Sequence, residues 1–283
     1  MQRVIYALAL LLVGLTACDS DQEYPDCANA PDLTAIDVAL DFKALDLEMR
    51  QITDTAEFAQ LLNRYPFVGL YFSSLPPNTP TSVRAKEMMQ MIKHPVYDSI
   101  IQDVDRLYGD YSVLQEELTT AFRYLKYYYP DFKTPKVRTV LSGLHNGLFV
   151  SASLVVISTD YFLGPEASHQ PVTYDYIKER LIPEHIVPTI VRNLSNYFNP
   201  TMRGDQTMLA EMIDFGKAYY FTKAMLPCQD DRVVIQYTPE QMVDIRDNER
   251  IIWTSLVQNE TLFETDMLLK KKFLLERQGI PEI

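Results

Sequence analysis

At 283 residues the chain is long enough to bury a sizeable core, and 47% hydrophobic with 23% charged residues is the composition of a globular protein. Its 26 basic and 38 acidic side chains give a formal charge of -12, which excludes a nucleic-acid binder that works by neutralising phosphates. A helical membrane protein is excluded as well, because the one long apolar run lies at the N-terminus and is too short to span a bilayer.

Residues 1–17 read as a secretory signal peptide: Arg3, an apolar stretch from Val4 to Leu15, then small residues before a cut site. Leu15-Thr16-Ala17-Cys18 resembles the bacterial lipobox. There a Cys thiolate, a stronger nucleophile than a hydroxyl, accepts a diacylglycerol before cleavage after Ala17. Acyl chains on Cys18 would bury enough methylenes to hold the protein on a membrane, expected here to be the outer membrane of the cell envelope. Removing residues 1–17 leaves 25 basic and 38 acidic groups, or -13, so charge adds no attraction to anionic lipid. Residues 18–34 are polar and proline-punctuated and read as a flexible tether. Its acidic start, Asp19 to Glu23, loosely resembles the export signal of Bacteroidetes surface lipoproteins and equally suits a solvated spacer. Cys27 and Cys228 can pair in an oxidising compartment, closing a loop of about two hundred residues, or stay as two independent thiols.

From residue 35 to 283 no repeat or linker divides the chain, and helical periodicity dominates, so a single mostly helical domain is expected. Residues 82–93 and 96–108 predict two helices parted at His94-Pro95. Residues 112–129 predict a third, with Leu114, Leu118, Phe122 and Leu125 on one stripe and Pro130 as its stop. Val137–Ser142 and Leu154–Ser158 are β-branched runs that predict paired strands of a small sheet. Residues 184–198 place Ile186, Ile190, Leu194 and Tyr197 on one helical face. Residues 206–226 are apolar over more than half the circumference, which predicts a centrally buried helix. Thr238-Pro239-Glu240-Gln241 is a capping box with Pro at the first helical position, opening a helix to residue 258.

Chemistry-bearing motifs are sparse. None of His94, His145, His169 and His185 lies four residues from another, so no helix face offers a pair of imidazoles to zinc. No phosphate loop, nucleophile elbow or Cys-x-x-Cys occurs. Glu211 and Asp214 share a helix face, where burial could hold one protonated for acid–base work; an ion pair with Lys or Arg is the plainer expectation. Lys270-Lys271-Lys272 reads as a surface run.

Several segments carry a family resemblance: Asp160 to Pro165 after a hydrophobic strand, Tyr176 to Arg180, Ile182 to Pro188, Asp214 to Tyr220, and Leu226-Pro227. In this order, behind a lipobox, they resemble the gliding-motility lipoprotein GldB family of Bacteroidetes, over about residues 160–258. That family in turn resembles zinc-dependent proteases, in which His-Glu-x-x-His on one helix and a Glu on a later helix build the metal site. The corresponding stretch here, Pro188 to Ser195, has neither His nor Glu, and Phe215 stands where the later ligand would be.

The resemblance therefore implies an α+β, mostly helical fold, a small sheet against a helical bundle, zincin-like but without the metal motif. No catalytic, cofactor or metal residues can be carried over, and no cofactor is expected. It implies a non-enzymatic envelope protein whose partners are the membrane, through Cys18, and other envelope proteins, with no nucleic acid. Phe215, Tyr219 and Tyr220 are candidate contacts of the former cleft. The alternative is a peptidase-like hydrolase, zinc-dependent or not, with a site relocated around Glu211, Asp214 and a distant His. The resemblance also leads one to expect a further packed helix beyond residue 283.

Overall fold

The structure is a computed structural model describing residues 25–199 and 204–270. The signal peptide, Cys18, the start of the tether, Lys271, Lys272 and the last residues lie outside the described residues. After a short turn of helix, α1 (Pro25–Ala28), the chain forms β1 (Phe42–Ala44) and runs directly into α2 (Leu45–Gln51). Four helices follow: α3 (Thr55–Arg64), α4 (Pro66–Tyr71), α5 (Thr81–Ile92) and α6 (Pro95–Tyr108). Asp54 caps α3 by accepting from Glu57 N at 2.9 Å. The Nδ1 of His94 accepts from Val96 N at 3.3 Å at the start of α6, so this imidazole serves as a cap. α7 (Ser112–Tyr128) stops ahead of Pro130, and the strands β2 (Lys136–Val140), β3 (Leu148–Val150) and β4 (Leu154–Ser158) come next.

The sheet runs in the order β1-β2-β4-β3. β1 and β4 flank β2 in parallel, and β3 closes one edge antiparallel to β4. Side chains alternate across it as a strand requires. Val137, Val155 and Ile157 meet α7 together with the Ile186, Ile190 and Leu194 side chains further along. Val140 and Val156 point the other way, into a second core made by α2 to α6 with Phe58, Phe72 and Met88 at its centre. Both faces of the sheet are thus covered, which explains why β2 and β4 read as continuous β-branched runs rather than as alternating ones.

The C-terminal half adds α8 (Asp175–Lys178), a 3-10 turn at Pro183–His185, α9 (Ile186–Leu194), α10 (Met208–Met225), α11 (Asp231–Ile235) and α12 (Pro239–Gln258). The capping box of α12 is formed in both directions, Gln241 N to Thr238 Oγ1 at 3.2 Å and Thr238 N to Gln241 Oε1 at 3.1 Å. No described helix is long and apolar enough to cross a membrane.

Two expectations from periodicity are corrected. α10 is not centrally buried: only Met208, Phe221, Thr222 and Met225 are enclosed, while Phe215 is 56% and Tyr220 81% exposed. Its apolar residues surround the whole helix, and α7 and α9 cover only one side of its C-terminal end. The stripe on α9 ends at Leu194, because the chain tightens to a 3-10 turn over Ser195–Tyr197, and the changed period turns Tyr197 outward.

Candidate functional site

The face of α9 opposite its core stripe and the middle of α10 border a cleft of about 600 Å³. Ile186, Val187, Ile190, Val191 and Leu194 are buried in the core and fix the rotation of α9, so that Arg192, Asn193 and, just beyond, Asn196 look into the cleft. α10 is capped by Thr207, whose hydroxyl accepts from Ala210 N at 3.2 Å. It contributes Glu211, Asp214, Phe215, Lys217 and Tyr219 to the opposite wall. Arg180 and Gln236 close the end.

Four of the residues singled out in the sequence, Glu211, Asp214, Phe215 and Tyr219, therefore share one cleft. Tyr220 does not line it and points to solvent. Both carboxylates have ammonium partners. Glu211 Oε1 is 2.5 Å from Lys270 Nζ, and Asp214 Oδ1 is 3.7 Å from Lys217 Nζ. Lys270 is only 2% exposed and also donates to Gln206 O, so it is a buried strut and not a surface residue. The two arginines are held on aromatic faces instead. Arg180 lies over Tyr176 at 5.9 Å and Tyr237 at 5.3 Å; Arg192 lies over Tyr219 at 5.4 Å and donates to its hydroxyl at 3.3 Å.

A zinc ion does not suit this donor set: α9 offers a guanidinium and amides where the resemblance to zinc-dependent proteases would put imidazoles, and the nearby carboxylates are ion-paired. Among the described residues no three His, Cys, Asp or Glu side chains converge as a metal site needs.

Beneath the cleft, His185 is buried. Its Nδ1–H donates to Arg180 O at 2.9 Å, while Nε2 is buried and has no partner among the described residues. Burial pushes its pKa below the usual 6.5 and outweighs the opposing pull of the hydrogen bond to Arg180 O and of Glu184; Arg232 and Arg180 add to the depression. The folded protein thus holds the imidazole neutral where the unfolded chain protonates it. Stability is full above about pH 6.5 and is lost as pH falls below that, by up to about 1.4 kcal/mol per pH unit until the folded-state value is reached. Urea midpoints measured from pH 8 to 5 should show this slope, and His185→Gln should flatten it.

The other histidines stay apart. His145 sits in the β2–β3 loop, where its N–H donates to Ser142 Oγ at 3.3 Å, and the exposed His169 meets Ser99 at 3.3 Å. What sequence reasoning missed is the pair Arg180 and Arg192 and a buried carboxylate, Asp160, at the end of β4. Arg180 was visible only as part of a family-like segment, and nothing local distinguished Arg192 from an ordinary surface arginine. The sulfurs of Cys27 and Cys228 are bonded, with their Cα atoms 4.5 Å apart, which ties α1 to the turn between α10 and α11.

No curated protein and no solved structure matches this chain. Residues 26–283, which include both helices of the cleft and the sheet behind them, match the family described as gliding motility protein GldB, and the chain belongs to that family.

Proposed function

We propose that this chain is a non-enzymatic, lipid-anchored protein of the cell envelope, held on the outer membrane through Cys18, that supports gliding motility or an associated envelope machinery through protein contacts. The observation that carries this reading is α12. It is 20 residues long and so about 30 Å from end to end, and none of its residues is buried. Met242, Ile245, Ile252 and Leu256 are half-buried, whereas Val243, Ile251, Trp253 and Val257 are exposed. Apolar side chains left open along a long helix mark a surface that another protein covers. Family membership supports the setting, and the Cys27–Cys228 bond suits an oxidising compartment. The carboxylates of the cleft, each tied to a lysine, favour a scaffold over acid–base chemistry.

The test is site-specific photocrosslinking in living cells of the source organism, with the reactive residue at Trp253 and, as a control on another face, at Tyr127. A discrete adduct from position 253 alone, together with loss of surface spreading in Trp253→Asp and Cys18→Ser cells at unchanged protein level, is expected. Normal spreading by cells lacking the protein, or one equivalent of zinc with chelator-sensitive peptide hydrolysis in the isolated protein, would overturn the reading.

A further inference from the structure

We infer that the cleft between α9 and α10 is a receptor site for a carboxylate-bearing ligand, gripped by Arg180 and Arg192. The charges in the cleft do not cancel. Lys270 answers Glu211 and Lys217 answers Asp214, but among the described residues neither Arg180 nor Arg192 has a carboxylate within ion-pairing distance. Two uncompensated guanidiniums in one concavity are unusual in a chain of net charge -12, and the concave wall focuses their field on whatever enters.

Stacking prepares them for this work. Tyr176 and Tyr237 hold the Arg180 plane, Tyr219 holds that of Arg192, and a stacked guanidinium still has N–H edges to offer to a forked acceptor. A carboxylate has that geometry. Asn193, Asn196 and Asn199 follow at intervals of three along the same wall. Asn193 spends one donor on Thr189 O at 2.8 Å and keeps its amide oxygen. Such a row of amides suits hydroxyl or peptide groups beside the carboxylate. Two sources present this chemistry, an acidic sugar of the uronic acid type and the free carboxyl end of a short peptide.

The site lies apart from α12, so it goes beyond the scaffold reading: probe binding can fail while crosslinking at Trp253 persists, and the reverse. The experiment titrates the full-length protein in detergent, by calorimetry and by thermal unfolding, with four probes. These are trigalacturonate, the neutral galactose trisaccharide, and trialanine with its carboxyl end free or amidated.

Expected is a dose-dependent rise in Tm with at least one carboxylate probe, and binding at least about tenfold weaker for its neutral counterpart, a difference of about 1.4 kcal/mol. Which carboxylate probe wins identifies the source. Arg180→Ala and Arg192→Ala should each weaken it at least about tenfold, while Arg246→Ala on exposed α12 should leave it unchanged. Arg192→Lys keeps the charge and loses the fork, so an intermediate loss is expected even if the alanine variant folds poorly. Binding of neither carboxylate probe below about 10 mM, equal binding of neutral and charged probes, or indifference to both arginine substitutions would overturn the proposal.

Discussion

Replacing Asp160 with Asn is expected to lower the unfolding free energy by about 2–6 kcal/mol, since at least two buried donors lose their acceptor at about 1–3 kcal/mol each. Asp160 is fully buried and collects a converging set of donors. The N–H groups of Ser142, Gly143 and Leu144 reach it at 3.0, 2.7 and 3.2 Å, and the hydroxyls of Ser142, Ser158 and Tyr97 complete the shell. Three successive N–H groups can point at one oxygen pair because the backbone turns left-handed at Gly143, with φ +71°, and at Leu144, with φ 65°. A side chain at Gly143 would meet Met91 Sδ at 2.2 Å, so the turn also depends on glycine for room. An Asn side chain offers one acceptor and turns an amide donor toward N–H groups that already lack alternatives, so several buried donors go unsatisfied together. Tyr97 is coupled to this centre: burial and the adjacent carboxylate raise its pKa well above 10, keeping the phenol protonated as a donor. Tyr97→Phe removes one donor of the set and should cost about 1 kcal/mol. Urea unfolding of both variants at pH 7 checks the ranking. A D160N protein within about 1 kcal/mol of wild type would show that the shell can be re-formed around a neutral amide.

How much of this was readable before the structure depends on how local each signal is. The helices expected at 82–93, 96–108 and 112–129 are found at Thr81–Ile92, Pro95–Tyr108 and Ser112–Tyr128, since apolar spacing and Pro stops are encoded within each segment. The strands β2 and β4 were legible as β-branched runs, whereas β1 and β3, at three residues each, are too short to carry a period. The family resemblance came from segments between residues 160 and 258, and the family match spans 26–283. α10 misled because composition tells how apolar a helix is but not which neighbours exist to cover it. The candidate site was half legible. Glu211, Asp214, Phe215 and Tyr219 lie within nine residues on one helix, so spacing could group them. The contact of Lys270 with Glu211, 59 residues away, and the gathering of Arg180 and Arg192 into one cleft exist only once the chain has folded.

Cys27→Ser, Cys228→Ser and the double variant should all lose the same amount of stability, about 2–5 kcal/mol, because each breaks the same bond. The bond joins positions 201 residues apart, and the chain-entropy argument gives roughly 5 kcal/mol for so long a loop, an upper figure if the unfolded chain is compact. Equal losses in single and double variants would be the signature of one shared interaction, and reductant added to the wild type should reproduce them. Thermal unfolding with and without dithiothreitol, alongside non-reducing electrophoresis, provides the measurement. If Cys18 carries the proposed lipid, the same bond also sets how far the body can stray from the membrane. Cys27 is nine positions after Cys18, a span of at most about 32 Å when fully extended. Without the bond the next side chain packed on the core is Ala30, twelve positions after Cys18, which extends the reach only to about 43 Å. If the scaffold role depends on presenting α12 at a fixed height, the cysteine variants should lose crosslinking at Trp253 under conditions where they remain folded. Intact crosslinking in a folded double variant would confine the bond to stability alone.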